Sequence, residues 1–382
     1  MSIHTQNFVN PVTFGHGAIQ RLAKLMGQNR IERPLICTDR GVVNAGILDT
    51  VRAVLPKGGG DYPVFDATPP NPTEVAVDEA AAQFREQGCD GLISVGGGSA
   101  IDLAKGVGVR LRHEGPLVEY SWSVAKPRRI GELPPHIAIP TTAGTGAESS
   151  MGCPLMTRDG RKSVLASAKL IPSAAICDPD LTLGLPSTYT AATGMDAVTH
   201  CIEGFLSSVV NPPADAVALD GVKRAIGDGW LERAVADGTN PDARWQMMMA
   251  AQEGAIAFTK PLGSAHAMSH AASRLPGLSL NHGLLNAIFL PPVLRFCAPA
   301  AEDKFVRLRA AMGLPAGADV AEAIEALNSR IGIPDSLAPL GITEAAIPEL
   351  VSYSMIDLCH RTNLRPVEPG DYEKMFIQLI AA

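Results

Sequence analysis

Three short segments in the second half of the chain carry side chains able to ligate a metal ion. In Gly194-Met195-Asp196-Ala197-Val198-Thr199-His200, Asp196 and His200 stand four residues apart, hence on one face of a helix. In Gly263-Ser264-Ala265-His266-Ala267-Met268-Ser269-His270 two imidazoles repeat that spacing, and His282 follows within Asn281-His282-Gly283. Four of the nine histidines fall in these segments. One carboxylate oxygen and three imidazole nitrogens suit a divalent ion such as Fe²⁺ or Zn²⁺, with a vacant position for a substrate oxygen. Taken singly, such a pair is more often an accident of a core or surface helix than a metal site.

The first half offers a different chemistry. Val95-Gly96-Gly97-Gly98-Ser99-Ala100-Ile101-Asp102 follows an apolar run and opens a helical one, so backbone N–H groups and the helix dipole can face a pyrophosphate. The spacing is not GxGxxG, and a plain strand-to-helix turn also accounts for the glycines. A second loop, Pro140-Thr141-Thr142-Ala143-Gly144-Thr145-Gly146, adds hydroxyls after another apolar run. Two such loops favour a dinucleotide over a single phosphate. Asp39 closes an earlier run, where a carboxylate could bond ribose hydroxyls and repel a 2′-phosphate, favouring NAD over NADP. The other reading of Asp39 is a cap for the turn before Gly41.

Loops of this kind need a sheet to hold them. Arg33 to Asp39, Gly91 to Gly96 and His136 to Pro140 read as buried strands. Between the first two, Pro69-Pro70-Asn71-Pro72 breaks the chain and Thr73 can cap a helix from Glu74 to Gln87. Strand, loop, helix, strand is the order of a doubly wound α/β sheet, whose ligands sit at the carboxyl ends of the strands. Beyond Asp178 to Pro186 strand-like runs nearly vanish, and helical periodicity continues to Ala382. The reading is therefore an α/β dinucleotide-binding domain, residues 1–182, followed by an all-helical metal-binding domain, residues 183–382. Ala243 to Phe258 is apolar on more than one face, which places it inside a helical bundle.

Composition bounds these readings. A chain of 382 residues, 46% hydrophobic, can bury two cores. With 39 acidic and 32 basic residues and a net charge of −7, a nucleic-acid surface is not expected. Seven cysteines without a CxxC pair read as thiols in the reducing cytoplasm. The N-terminus shows no basic and then apolar leader, and no run of eighteen apolar residues calls for a membrane.

Taken in order, Thr38-Asp39, Pro70-Asn71-Pro72, Gly96-Gly97-Gly98-Ser99 with Asp102, Pro140-Thr141-Thr142 with Gly144-Thr145-Gly146, Asp178-Pro179, Gly194-Met195-Asp196 with His200, and His266 with His270 and His282 form a specific series. On it the chain resembles the iron-dependent (group III) alcohol dehydrogenases over nearly its full length. The resemblance implies a Rossmann-like α/β domain followed by an all-helical domain, with cofactor and metal facing each other between them. By position, Asp196, His200, His266 and His282 match the metal ligands, and His270 matches a histidine thought to help proton transfer. Asp39, Asn71, Gly97, Gly98, Ser99, Asp102, Thr141, Thr142, Thr145 and Lys162 match positions that contact the cofactor. The implied cofactors are NAD and Fe²⁺, with Zn²⁺ as the alternative ion. Some relatives, the maleylacetate reductases, are described as metal-free, but every ligand type is intact here.

Asp178 to Pro186, Asn281 to Ala287 and Pro291 to Phe296 look most like the 4-hydroxybutyrate dehydrogenase branch, which implies a short ω-hydroxy acid or its semialdehyde as substrate. A general primary alcohol dehydrogenase and a maleylacetate reductase-like enzyme are the alternatives within the family. A dehydroquinate synthase-like lyase or a glycerol phosphate dehydrogenase would need several basic residues near the metal, and His266 to His282 holds only Arg274. The family usually follows its second histidine with Pro and a Gly-containing turn; here Ala271-Ala272-Ser273-Arg274 stands there. Arg274 is a candidate carboxylate clamp, because a guanidinium binds both oxygens at once; its other reading is a solvated loop residue. Ala147 replaces a frequent serine, and Asn363-Leu364-Arg365 replaces Asn-Pro-Arg. The implied partners are a small alcohol or aldehyde and a second copy of the chain, paired through N-terminal strands near Asn7 to Phe14.

Overall fold

Apolar runs bracketed by turn residues become strands in the computed structural model, which describes residues 4–7, 9–56, 62–160, 162–278 and 280–381. Contacts divide the chain into two compact units, Met1–Thr142 with Gly146–Gly184, and Ala143–Thr145 with Leu185–Ala382.

The first unit is built on strands β1 (His4–Asn7), β2 (Pro11–Phe14), β3 (Pro34–Cys37), β4 (Val64–Phe65), β5 (Gly91–Gly96), β6 (His136–Pro140), β7 (Gly152–Met156), β8 (Lys162–Ala166) and β9 (Ala174–Cys177). Seven of them form one sheet in the order β1-β2-β9-β6-β5-β3-β4, while β7 and β8 make a separate antiparallel hairpin. All pairs in the large sheet are parallel except β1 with β2. Strands β3, β5, β6 and β9 are buried along their whole length, as parallel strands covered on both faces must be. Helices α1 (Leu22–Gln28), α2 (Arg40–Asn44), α3 (Ile47–Ala53), α4 (Glu74–Glu86) and α5 (Gly98–Arg112) supply the covering layers.

Alternation along each strand then sorts side chains into two cores. Leu35 and Cys37 pack with Val77, Ala80, Leu103 and Val107, whereas Ile36 joins Leu22, Leu48, Val51, Ile93, Val95 and Ile139. Read in chain order, β4-β3-β5-β6-β9 is the arrangement 2-1-3-4-5, the flavodoxin-like variant of the doubly wound sheet. Its direction of winding reverses between β3 and β5, and ligands bind in the crevice at such a reversal. Asp39 follows β3 and the glycine loop follows β5.

The second unit contains no strand among its described residues. Its helices are α6 (Ser187–Leu206), α7 (Pro212–Val222), α8 (Trp230–Ala236), α9 (Pro241–Ala257), α10 (Ser264–Ala272), α11 (His282–Cys297), α12 (Glu302–Ala311), α13 (Val320–Arg330), α14 (Ile347–Ile356) and α15 (Pro369–Ala381). Buried residues run almost without interruption from Thr190 to Leu206 along α6, so this helix lies in the core. The segment His282–Ala300, which begins with α11, is long and apolar enough to cross a membrane, yet 67% of its apolar window is buried inside the protein, as a core helix would be. Pro291 inside α11 has no N–H for the carbonyl of Ala287. Asn328 of α13 donates its amide to that carbonyl at 2.8 Å, so the freed acceptor is satisfied from another helix.

One buried base couples the first unit to pH. His136 on β6 bonds Ser94 at 2.7 Å, and burial, helped by the nearby Lys105 charge, lowers its pKa from 6.5 to about 3. The unfolded chain takes up a proton near pH 6.5 that the folded ring refuses until about 3, so stability falls as pH drops through that window. Denaturant unfolding of metal-stripped protein should show a flatter loss for His136→Gln than for wild type, by up to about 1.4 kcal/mol per pH unit. Identical slopes would remove His136 from the acid response.

Candidate active site

Helices α6, α10 and α11 bring the ligand candidates of the second unit to one buried point. Asp196 Oδ1 lies 3.9 Å from His200 Nε2, 3.8 Å from His266 Nε2 and 3.9 Å from His282 Nε2. Asp196, His200 and His266 are buried, and their ligating atoms fall within 4.8 Å of one another. A tetrahedral ion with bonds of about 2.0–2.2 Å spaces its ligands by about 3.4 Å, so a slight contraction around a cation suffices. Burial is the main cause that lowers His200 to a pKa of about 4, against the opposing pull of Asp196. Its ring is therefore neutral at pH 7, the form that offers a lone pair to a metal.

Asn286, one turn beyond His282 on α11, makes the need for a cation concrete. Its Nδ2 lies 2.8 Å from Asp196 Oδ1, 3.1 Å from His266 Nε2 and 3.2 Å from His282 Nε2. An amide nitrogen carries two hydrogens, fewer than the three acceptors converging on it. The amide oxygen of Asn286 is buried without a hydrogen-bond partner. With the protons of both rings on Nδ1, lone pairs exceed donors at this point, and a divalent ion would take up the excess.

Two further carboxylates serve the imidazoles. Glu203 Oε2 is 2.6 Å from His266 Nδ1, and Asp357 Oδ2 is 3.1 Å from His270 Nδ1. Burial raises the proton affinity of Asp357, but His270, the Cys359 N–H and the Arg274 charge outweigh it and hold the carboxyl below its usual range. His270 stacks on His282 with ring centroids 5.3 Å apart. Just beyond α10, the Arg274 guanidinium lies over the Tyr353 ring at 5.1 Å, and its Nε is buried without a hydrogen-bond partner. Sequence reasoning passed over Glu203, Asn286 and Asp357. The first two lie seven residues from Asp196 and four from His282, helical spacings that were legible, whereas nothing local marks Asp357.

In the first unit the loops at the strand ends meet. Gly96 has φ 153°, and a Cβ there would come within 2.8 Å of Ala100 Cβ and 3.3 Å of Asp39 Oδ2, so only glycine fits. Thr141 N–H donates to Gly96 O at 3.0 Å, and Thr142 Oγ1 is 3.6 Å from the place a Gly97 Cβ would take. The Ser99 hydroxyl donates to the Pro70 carbonyl beside Asn71. Gly98 begins α5, whose first-turn amides have no intrahelical acceptors. Asp39 Oδ1 accepts from Val42 N–H at 3.0 Å, capping α2, while Oδ2 faces Gly96. The cap reading of Asp39 is realised without excluding the ribose reading. Asp102 is buried and pairs with Lys105 at 3.1 Å; burial raises its pKa against the pull of Lys105 and Lys162. Thr145 belongs to the second unit.

The chain matches the family described as iron-containing alcohol dehydrogenase over residues 10–179, and that family's C-terminal domain over residues 190–379. It is 46% identical over 379 residues to a 4-hydroxybutyrate dehydrogenase of Cupriavidus necator, covering 97% of this chain and 98% of that protein. Among solved structures, a 1,3-propanediol oxidoreductase aligns with TM-score 0.91 and 34% identity over 99% of both chains. The NAD⁺ complex of a sulfoacetaldehyde reductase from Bifidobacterium kashiwanohense aligns with TM-score 0.86 and 28% identity over 100% of both. The chain belongs to the iron-containing alcohol dehydrogenase family and is an oxidoreductase.

A metal at this point should stabilise the fold by mass action. Adding Zn²⁺, or Fe²⁺ without oxygen, to stripped protein should raise its melting temperature, by about 4 kcal/mol of added stability at 1,000 times Kd. Asp196→Ala and His282→Ala should abolish the rise, and a full rise in both variants would place the ion elsewhere.

Proposed function

We propose that the protein is a metal- and NAD-dependent dehydrogenase interconverting a short ω-hydroxy acid, such as 4-hydroxybutyrate, and its semialdehyde. The observation that carries the substrate class is Arg274, four residues beyond His270, whose buried Nε has no partner and whose guanidinium is steadied by Tyr353. A guanidinium in that state is ready for a carboxylate. The names of two relatives point the same way, one acting on a hydroxy acid and the other on a sulfonated aldehyde.

In this reading Asp196, His200, His266 and His282 hold Fe²⁺ or Zn²⁺. Such an ion, when bound, supplies Lewis acidity toward an alcohol or carbonyl oxygen. NAD is the hydride acceptor, held by residues 1–182 through Asp39, Asn71, Gly97, Gly98, Ser99, Thr141 and Thr142, with Asp102 and Lys162 setting the local charge and Thr145 adding a hydroxyl. Residues 183–382 carry the metal chemistry. Asp357 occupies His270 Nδ1, which leaves Nε2 of that ring to accept the alcohol proton and pass it to solvent. Seven unpaired thiols suit a cytoplasmic protein. A homodimer would use the outer edge of β1, which pairs only with β2 among the described residues. Residue 8, inside the Asn7 to Phe14 segment, lies outside the described residues.

Steady-state NADH oxidation with succinic semialdehyde and with butanal tests the substrate. Wild type should prefer the semialdehyde, and Arg274→Ala should raise its KM by about 10- to 100-fold, from about 1.5–3 kcal/mol for a charged hydrogen bond, while the KM for butanal holds. Preference of wild type for butanal would leave a general primary alcohol dehydrogenase. For the cofactor, Asp39→Gly should improve use of NADPH relative to NADH, and an unchanged ratio would end the ribose role of Asp39.

A further inference from the structure

Glu203 sits on α6 one turn beyond His200, fully inside the second unit with 3% of its surface exposed. Its Oε1 accepts from Ala265 N–H at 2.7 Å, and its Oε2 lies 3.3 Å from His266 N and 2.6 Å from His266 Nδ1. One carboxylate thus holds both the first turn of α10 and a ring of that helix. The helix start is shaped to admit it. Gly263 is the N-cap and contributes no side-chain cap; a Cβ there would lie 2.8 Å from Glu203 Oε1 and 2.9 Å from Asn363 Oδ1. Asn363 Oδ1 accepts from Ser264 N–H at 3.0 Å, so two acceptors from distant parts of the chain replace the missing cap.

We infer that Glu203 is a positioning residue that fixes the tautomer of His266, keeping the proton on Nδ1 and the Nε2 lone pair aimed at Asp196 and the metal. The carboxylate has no hydrogen to give, so the atom facing it at 2.6 Å must be the donor. The other ring nitrogen is then the acceptor a metal requires, and a ligand oriented in this way binds more tightly. The inference rests on the reading of His266 as a ligand and adds the group that makes it one.

Glu203→Gln separates this role from helix capping. If the new amide oxygen takes the Oε1 position, the amide nitrogen donates to His266 Nδ1 and drives the ring into the tautomer that cannot ligate. If the amide turns over, its nitrogen confronts the Ala265 N–H donor. Either the ring or the helix start loses its partner.

Zinc titration of metal-stripped protein, followed by calorimetry, reads the outcome beside the melting temperature of the metal-free form. His266→Ala should lose the site altogether; retention of wild-type affinity there would refute the ligand reading itself. With that control in place, Glu203→Gln should bind Zn²⁺ about 10- to 100-fold more weakly than wild type. A loss smaller than fivefold in a variant whose metal-free melting temperature matches wild type overturns the inference; a lowered melting temperature with affinity intact marks the turned-over amide, which still accepts from His266 Nδ1, and the ring spectra of metal-free wild type then decide. Should the variant not fold, ¹⁵N spectra of the histidine rings in metal-free wild type decide, with His266 assigned by its absence in His266→Ala. The Nδ1–H tautomer is expected, and an Nε2–H ring overturns the inference.

Discussion

One carboxylate oxygen surrounded by three imidazole nitrogens at 3.8–3.9 Å is the constraint around which the second unit is organised. Lone pairs converging in a buried place repel one another and are cut off from water, a cost that unpaired polar groups always carry in an apolar interior. The fold tolerates it because the candidate ligands are fixed by their helices and two of the rings by a neighbouring side chain. Asp196 and His200 ride on the core helix α6, Ser269 bonds the His282 ring at 2.8 Å, and Glu203 holds His266. Asn286 fills the middle with an amide that can satisfy only part of the demand. An ion bound among groups already so placed would spend little of its binding energy on rearrangement.

Much of this was legible in the chain because local signals carried it. Gly91–Gly96 and His136–Pro140 emerge as the strands their apolar runs announced. Thr73 caps α4 by accepting from Ala76 N–H, as a threonine before a helical run should. The hairpin of β7 and β8 was not anticipated, although its alternating burial is a period-two pattern around the turn at Thr157 to Gly160. Apolar residues at the less buried positions, Pro154, Met156, Val164 and Ala166, masked that alternation. Sheet order lay beyond sequence altogether, since the 2-1-3-4-5 arrangement depends on which side of β3 the chain returns.

Legibility of the site divides along the same line. Ligand candidates stood out because histidines at spacing four are few in this chain. Glu203 and Asn286 had the right spacing too, but a single glutamate or asparagine on a helix is too common to single out. Asp357 and Asn363 could not be read at all. They come from the C-terminal part of the chain and reach α10 only after α14 and the segment beyond it have packed. Tertiary contact, rather than local pattern, gives those residues their meaning.

The departure from the family pattern after His270 has a structural consequence of its own. Without a proline there, α10 continues to Ala272, and Ser273 N–H and Arg274 N–H still find the carbonyls of Ser269 and Ala271 at 3.0 and 3.1 Å. A proline would have removed such a donor and turned the chain earlier. Arg274 thus stands one helical step beyond His270, with its guanidinium over Tyr353. Stacking fixes the plane of the fork without using its hydrogen-bond donors, which is the state a bidentate anion partner needs. From there the Arg274 charge reaches Asp357, the partner of His270. Binding an anionic group at Arg274 would therefore weaken the field that keeps Asp357 ionised, so in the proposed reading a carboxylate at Arg274 and the His270–Asp357 pair would act on a common set of charges.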